Sequence, residues 1–383
     1  MNELFAIIPI TRSLQPILKW AGGKEKELKY IIPNMPEYID NYYEPFVGGG
    51  SVYTSIMANR YFINDKSTEL ISLYRCIADK NRNFFYYANL IDASWLNADK
   101  FFVENPMLRN LYHEYRCDNI NKVELKTRIS EFCKTSERDI CNIICGDAIP
   151  CINVLVSEML VNLFRKMTRM KELEQSKHML PEDDIDDNIK TAIKSALYMY
   201  YRHLYNKGIS SEIDETMHTA LFLFIRNYCY SGMFRYNDEG HFNVPYGGIA
   251  YNAKSMGKKL RYYQSPELYE LMGETLIDNM DFECFLRKWK PKENDFVFLD
   301  PPYDSEFSTY AQNVFTRADH ERLAQYMTNE CKAKWMLIIK NTDFIFNLYN
   351  KPGIRIRTFN KEYLVSFMNR NDRHAVHLLI TNY

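Results

Sequence analysis

The 383-residue sequence has almost no net charge, because 48 Lys and Arg are balanced by 49 Asp and Glu. A net charge of −1 argues by itself against a nucleic-acid partner. Long apolar runs are missing too, since stretches such as residues 221–225 are far too short to span a bilayer. The start has one early cation, Arg12, and no signal-peptide layout. From these absences we expect a cytoplasmic protein with no membrane partner.

The cysteines show no pattern of disulfides or metal ligands. Nine are present, an odd number with scattered spacing, as is typical of thiols kept reduced inside a cell. Cys141, Cys145 and Cys151 come closest to a cluster, but they form no CxxC pair and have no histidine nearby. Buried small apolar residues are the simpler interpretation, and we predict no metal site.

Charge is present in blocks, although its sum is small. Residues 226–261 and 351–373 are basic, whereas the acidic counterweight is concentrated in residues 181–187, PEDDIDD. Two basic surfaces keep a polyanionic partner possible. Scattered, solvated charge is the alternative.

The first eighty residues predict the start of a parallel α/β unit. Residues 42–47, YYEPFV, predict a strand that ends at a glycine turn, and a helix is predicted from Val52 to about Asn59. A second strand is predicted at residues 61–65, YFIND, followed by a helix from Glu69 to about Asp79. Strand, glycine turn, helix and strand in this order are typical of parallel sheets.

The middle of the chain interrupts this pattern. Residues 80–222 predict a mostly helical insert, and residues 234–244, FRYNDEGHFNV, predict a hairpin with Gly240 in the left-handed position of its turn. We therefore predict one α/β domain formed by residues 1–79 and 266–383, with residues 80–265 inserted between its second and third strands. The later strands are predicted at residues 274–279, 295–300, 335–340, 354–359 and 375–383.

One predicted strand ends abruptly in Asp300-Pro301-Pro302-Tyr303. Neither proline can donate a ladder hydrogen bond, and Pro301 favours an extended Asp300. We expect a stiff edge that holds a carboxylate, a carbonyl and an aromatic ring. A loop that merely ends the strand is the plain interpretation, and a pocket for a flat, hydrogen-bonding ring is the functional one.

Two further strand ends carry candidate ligand-binding residues. In open α/β sheets ligands bind at the carboxyl ends of the strands. Residues 48–50 are glycines that allow close backbone approach, and the helix predicted after them would direct its positive N-terminus to the same place. Asp65 suits ribose hydroxyls. The glycine turn together with Asp65 favours nucleoside binding but also fits a plain tight turn. The GxGxxG spacing of dinucleotide oxidoreductases is missing.

Four motifs follow one another along the chain: KWAGGK at residues 19–24, EPFVGGGS at 44–51, IND at 63–65 and DPPY at 300–303. In this order they resemble the Dam-type, alpha-class DNA adenine-N6 methyltransferases. The resemblance extends over residues 16–75 and 222–383 and leaves the long region between them without a match. It implies a Rossmann-like methyltransferase sheet, dependent on S-adenosylmethionine, with a mostly helical inserted target-recognition domain. Residues 227–248 look like that family's recognition hairpin.

The resemblance implies S-adenosylmethionine as the methyl donor. Trp20 and Lys24 match cofactor contacts of the family, and Asp65 matches its ribose-binding acid. Asp300 matches the acid shared by the cofactor and the target base. For Trp20, core packing is the plain interpretation.

Further cofactor contacts follow from the same resemblance. Phe46, Gly48 and Gly50 would line the pocket for the methionine part of the cofactor. Asp281 and Phe282 fall, more loosely, where the family contacts the cofactor's adenine. Core packing is again the plain interpretation for Phe282.

The chemistry of adenine methylation explains the strand edge. The exocyclic amine is a poor nucleophile, and fixed acceptors for its two hydrogens favour a pyramidal nitrogen. Asp300 and the Pro301 carbonyl are such acceptors, Pro302 stiffens them, and Tyr303 can stack on the base. The donor is a sulfonium, so in-line transfer needs alignment and no metal.

The target base must leave the duplex stack before it can be methylated. The resemblance assigns roles in base flipping and base recognition to the recognition hairpin, residues 227–248. Tyr230 matches the family's aromatic wedge, and Arg235 matches its guanine-reading arginine. GATC is the leading target, although Ser231 replaces the usual asparagine and Phe234 is bulky. The remaining predicted DNA contacts are Ser231, Met233, Pro245, Lys254, Lys258 and Lys259.

Three other functions stay open at this point. N4-cytosine methylation uses a similar amine, but Ser-Pro-Pro-Tyr is commoner there. A non-catalytic DNA-binding protein of this fold would be expected to have degraded motifs, and an RNA methyltransferase would not need the duplex-reading hairpin. Double-stranded DNA is the predicted partner, and a restriction endonuclease is a possible functional one.

Overall fold

The computed structural model describes residues 11–20, 22–146, 152–233, 235–303, 315–362 and 374–383. The chain divides into two compact units. We call Met1–Asp79 with Ser265–Tyr383 the sheet unit, and Lys80–Gln264 the helical unit. None of the described helices has the length and apolar character needed to cross a bilayer.

The described residues of the sheet unit contain a seven-stranded sheet. The strands are β1 Asn41–Glu44, β2 Arg60–Asn64, β3 Thr275–Asp278, β4 Phe296–Leu299, β5 Lys334–Lys340, β6 Arg355–Glu362 and β7 His374–Thr381. Their order in the sheet is β3-β2-β1-β4-β5-β7-β6. Neighbouring strands from β3 to β5 are parallel, and β7 is antiparallel to both of its neighbours. The predicted α/β class and each predicted strand are confirmed.

The helices are numbered along the whole chain. The sheet unit contains α1 Leu28–Ile31, α2 Thr68–Ala78, α11 Pro266–Gly273, α12 Phe282–Trp289, α13 Arg317–Asn329 and α14 Asp343–Tyr349. The helical unit contains α3 Arg82–Glu104, α4 Met107–Arg116, α5 Lys122–Thr135, α6 Glu137–Cys141, α7 Ile152–Ser176, α8 Glu182–Lys207, α9 Glu215–Tyr228 and α10 Gly257–Tyr263.

The central strands are apolar on both faces because both faces are covered. Val297 and Leu299 of β4 pack in a core cluster with α12 and α13. Phe296 and Phe298 alternate with them and are equally buried. Near-continuous apolar runs of this kind are typical of parallel strands. This burial places the first polar residue after β4, Asp300, at the edge of the sheet.

The helix predicted from Val52 to about Asn59 is wrong. The structure has a short 3₁₀ turn, Tyr53–Ser55, after which Ile56 is extended. The hydroxyls of Thr54 and Ser55 donate to the carbonyls of Gly50 and Ser51, at 2.8 and 2.7 Å. Side-chain bonds of this kind and stiff β-branched residues both weaken a helix. Residues 52–59 therefore form no regular helix whose positive N-terminus could face the glycines.

The helical unit has an aromatic core. Trp95 of α3 is fully buried, and its ring centroid lies 4.4 Å from that of Tyr228 and 5.4 Å from that of Tyr246. The acidic run at residues 181–187 opens α8, where negative side chains favour the N-terminus. Among the described residues of the predicted hairpin, Tyr236 and Phe242 form an isolated antiparallel bridge, and Gly240 has φ 78°.

Candidate active site

Asn64 joins three strand ends at the carboxyl edge of the sheet. Its backbone carbonyl accepts from Val47 N–H at 2.9 Å, and its Nδ2 donates to Pro45 O at 3.0 Å. The same side chain donates to Met280 O at 3.0 Å and accepts from Met280 N–H at 2.9 Å. Sequence reasoning missed this role, because the partners beyond β3 are distant in the chain. Asn64 fixes the edge on which the candidate residues lie.

The glycine turn is shaped by its neighbours. A Cβ at Gly48 would lie 2.9 Å from Cδ1 of Trp20, and one at Gly50 would lie 2.5 Å from the Tyr74 hydroxyl. Gly50 also has φ 78°, which favours glycine. Tyr74 donates to Gly48 O at 3.1 Å. The half-buried Trp20 indole therefore packs directly on this turn, and Tyr74 is a support that the sequence did not reveal.

Asp65 is tied to the same turn. Its Oδ2 accepts from Gly48 N–H at 3.0 Å, and its Oδ1 accepts from Ser67 N–H at 2.9 Å. Burial raises the pKa of Asp65, although these N–H groups oppose the rise. A carboxylate oxygen has more than one lone pair, so Asp65 retains acceptor capacity for a hydroxyl group.

The strand-end acid is held by a buried lysine. Lys24 is 2% exposed, and its Nζ lies 2.5 Å from Oδ1 of Asp300. The ammonium also donates to Gly22 O at 2.8 Å and lies 3.5 Å from the Tyr303 hydroxyl. The structure therefore brings Lys24, Asp300 and Tyr303 together. An ion pair of this kind fixes the position of the carboxylate.

The proline pair lies between these groups, Pro301 buried and Pro302 exposed. The Tyr303 ring meets the ring of buried His377 edge to face, with centroids 5.5 Å apart. His377 comes from β7 and carried no sequence signal for this role. Residues 304–314 lie outside the described part of the chain.

A second carboxyl group, that of Glu44, is near enough to Asp300 to be affected by its charge. Burial raises the pKa of Glu44 well above its usual range; a hydrogen bond from Tyr42 opposes the rise, and the charge of Asp300 adds to it. The Tyr42 hydroxyl donates to Glu44 Oε2 at 2.7 Å. The sequence motif contained Glu44 but gave no indication of its burial.

Asp281 and Phe282 lie where β3 leads into α12, and both have structural partners. Burial would raise the pKa of Asp281, but hydrogen bonds from Arg322 and from the Glu283 N–H outweigh it and lower the pKa. The Arg322 guanidinium lies 4.8 Å from the Phe282 ring centroid.

Three aromatic rings meet beside this pair. The Phe46 ring centroid lies 5.5 Å from that of Phe282 and 5.6 Å from that of Phe315. Phe315 and Arg322 were not predicted, since neither belongs to a motif. The cluster supports core packing for Phe282 and leaves Phe46 half-buried at the edge.

The predicted DNA contacts lie in the helical unit, most of them in residues 230–252, a segment that we call the recognition loop after the role predicted for it. Tyr230 is 47% exposed, and its N–H donates to the carbonyl of exposed Pro245 at 2.9 Å. Ser231 has φ 54°, a conformation in which few residues other than glycine are found. Arg235 is exposed, and its Nε donates to Asn243 Oδ1 at 3.0 Å. Phe234 lies outside the described residues.

The remaining predicted DNA contacts are dispersed around this loop. Met233 is half-buried. Exposed Lys254 lies 3.4 Å from the Tyr251 ring centroid, and Lys258 and Lys259 lie on α10, the first of them exposed. These lysines are placed on the surface, as contacts to phosphate require.

Comparison with known proteins gives one consistent family. A model described as D12 class N6 adenine-specific DNA methyltransferase matches residues 20–143 and 156–366. The chain is 24% identical to the type II methyltransferase M.CviBI of Paramecium bursaria Chlorella virus NC1A, over 97% of this chain and 100% of that relative. It is also 24% identical to M.MjaIII of Methanocaldococcus jannaschii, over 97% and 99%. Identity to the DNA adenine methylase of Escherichia coli is 23%, over 85% and 80%.

These matches correct one expectation from the sequence. The resemblance predicts no match between residues 75 and 222, yet the family model includes most of that region. Helical segments with little motif content are poorly detected by short motifs, whereas an alignment of the whole length detects them. Because the family model matches far more than half of the sequence, the chain belongs to the D12 class of N6 adenine-specific DNA methyltransferases.

Proposed function

We propose that this methyltransferase transfers a methyl group from S-adenosylmethionine to the N6 amine of an adenine flipped out of double-stranded DNA. The observation that carries the proposal is the Lys24–Asp300 pair at the end of β4, at 2.5 Å. It lies on the same sheet edge as the glycine turn and Asp65, since β1, β2 and β4 are parallel.

The residues of this edge suit S-adenosylmethionine. Asp65 is fixed by two N–H donors and keeps acceptor capacity for ribose hydroxyls. Trp20 on the glycine turn and half-buried Phe46 offer apolar walls to the rest of the molecule. When bound, S-adenosylmethionine supplies an electrophilic methyl carbon on a positively charged sulfur.

Asp300 and Pro301 orient the amine. The Asp300 carboxylate and the Pro301 carbonyl accept its two hydrogens, so the nitrogen lone pair faces the methyl carbon. The Tyr303 ring stacks on the base, supported by His377. In the transfer, the N–C bond would form as the C–S bond breaks, its electron pair would stay on the sulfur of the departing thioether, and the cationic nitrogen would release one proton to water. Alignment supplies most of the catalysis, because the leaving group is already charged.

Lys24 acts as a positioning residue in this scheme. Its ammonium is engaged with Asp300, Gly22 and Tyr303, all groups of the protein. We therefore assign to it the orientation of Asp300, in addition to the cofactor contact that the resemblance implies.

Target recognition is assigned to the recognition loop. Exposed Tyr230 is the wedge that fills the place of the flipped base. Arg235 reads guanine through O6 and N7, and its neighbours Ser231, Met233 and Pro245 complete the base contacts. GATC is the target that we propose, with Lys254, Lys258 and Lys259 on the phosphates. A restriction endonuclease of the same specificity is the proposed functional partner, in the cytoplasm.

The test compares Asp300→Ala with Asp343→Ala, a control at an exposed position of α14. Purified proteins receive methyl-labelled S-adenosylmethionine and GATC duplexes. We expect Asp300→Ala to lose methyl transfer while its Kd for DNA stays near that of the wild type, and the control to be unaffected. Undiminished turnover of Asp300→Ala would refute the assigned role.

A further inference from the structure

One face of α8 holds the backbone of the recognition loop. Asn206 forms a closed pair with Phe242: its Oδ1 accepts from Phe242 N–H at 2.8 Å, and its Nδ2 donates to Phe242 O at 3.0 Å. One helical turn earlier, Arg202 Nη1 donates to Val244 O at 3.3 Å. The buried Tyr198 hydroxyl donates to the same carbonyl at 2.9 Å.

The same face continues toward the start of α8. Lys194 is 1% exposed, and its Nζ donates to Asn252 O at 2.6 Å. The Asn252 side chain in turn donates to Thr191 Oγ1 at 2.9 Å. These α8 residues are spaced three or four apart, so they share one side of the helix.

The bonds from α8 go mostly to main-chain groups of the loop. Of the predicted base-contacting side chains, Arg235 donates within the loop itself, to Asn243. Helix α8 therefore fixes the main-chain path of the loop and does not determine which side chains the loop exposes. Tyr205 adds a contact of its hydroxyl to that of Tyr236, at 2.9 Å.

We infer that Tyr198 and Asn206 of α8 are positioning residues for target-sequence discrimination: they hold the recognition loop in the conformation that presents Arg235 to the DNA. This inference rests on the proposed function. It gives α8 a role in specificity. Removing the hydrogen bonds that hold the recognition loop should weaken discrimination between target sites before it affects binding of the methyl donor.

The experiment uses two variants of the full chain with matched controls. Asn206→Ala removes the pair with Phe242, and Asn188→Ala removes the same side chain elsewhere on α8, where it donates to Asp184 O. Tyr198→Phe removes a single hydroxyl, and Tyr112→Phe removes an equally buried one that donates to Glu174. The measured quantity is the ratio of kcat/KM on a cognate duplex to that on duplexes with one base pair changed, together with the KM for S-adenosylmethionine.

We expect the ratio to fall about tenfold in Asn206→Ala and about threefold in Tyr198→Phe, as the loss of two bonds and of one bond implies. The controls and the KM for S-adenosylmethionine should stay at wild-type values. Tyr198→Phe keeps the test valid if Asn206→Ala does not fold. Wild-type ratios in both variants would overturn the inference alone. A wild-type protein that methylates no duplex would overturn the proposed function and this inference with it.

Discussion

Several candidate residues of the sheet unit are bonded to one another through their side chains, whereas exposed candidate residues of the helical unit are held through their backbone. Lys24 and Asp300 show the first pattern, an ion pair whose side chains are 2% and 19% exposed. Tyr230 and Pro245 show the second, joined by main-chain atoms while their side chains face solvent. Chemistry requires a fixed geometry, which packing supplies. Recognition requires side chains that can change without disturbing the fold.

The largest expected effect on activity comes from breaking the ion pair that fixes Asp300. Lys24→Met retains the bulk of the side chain but removes the ion pair with Asp300. We expect kcat to fall about a hundredfold, since a misplaced catalytic group can cost this much, and Lys26→Met at an exposed position to leave it unchanged. Steady-state kinetics with varied S-adenosylmethionine checks this. A rise confined to the KM for S-adenosylmethionine would show that Lys24 contacts only the cofactor.

The glycine turn offers the next test of the sheet unit. Gly50→Ala places a Cβ 2.5 Å from the Tyr74 hydroxyl at a residue with φ 78°. We expect a loss of about 1–3 kcal/mol in the free energy of unfolding from backbone strain alone, with the overlap adding to it. Denaturant unfolding measures both contributions. Adding Tyr74→Phe should recover the part due to overlap, and no recovery would contradict the packing described here.

The helical unit should respond differently. Arg235→Ala removes an exposed side chain, so the stability of the protein should stay within about 0.5 kcal/mol of the wild type. Methylation of the cognate site should lose about 1–3 kcal/mol in transition-state stabilisation and relax at one base position. Competition between cognate and single-substitution duplexes checks this. A uniform loss on all duplexes would indicate a phosphate contact.

The smallest effect is the pH dependence of stability through Glu44. Its pKa is raised in the folded state, so the folded form favours the proton. The stability contribution is present at low pH and is lost as the pH rises through the folded pKa. Glu44→Gln keeps the acceptor for Tyr42 and cannot ionise. We expect its Tm to fall less than that of the wild type between pH 5 and pH 8, in thermal scans, and equal slopes would contradict the assignment.

The sequence predicted the strands of the sheet, and it did not predict the contacts among the candidate site residues. Strands such as Phe296–Leu299 are short apolar runs with clear ends, and local pattern is sufficient to find them. The helix after Gly50 was wrong because side-chain bonds from Thr54 and Ser55 compete with helical ones.

Residue contacts across the chain explain what the sequence could not supply. The motifs contained Lys24 and Asp300 but gave no indication that they form a pair. Asn64, Arg322 and His377 act through partners from other elements, and nothing in their local sequence indicates this. The sequence could not supply the placement of Gly48 against Trp20 either, since it is a packing contact between separate segments of the chain.

The most direct measurement is a map of modified bases in plasmid DNA treated with the purified wild-type protein and S-adenosylmethionine. We predict N6-methyladenine at one short sequence motif, with GATC as the proposed one. Methylated cytosine, or DNA that stays unmodified throughout, would contradict the assignment of the Asp300 edge to the adenine amine.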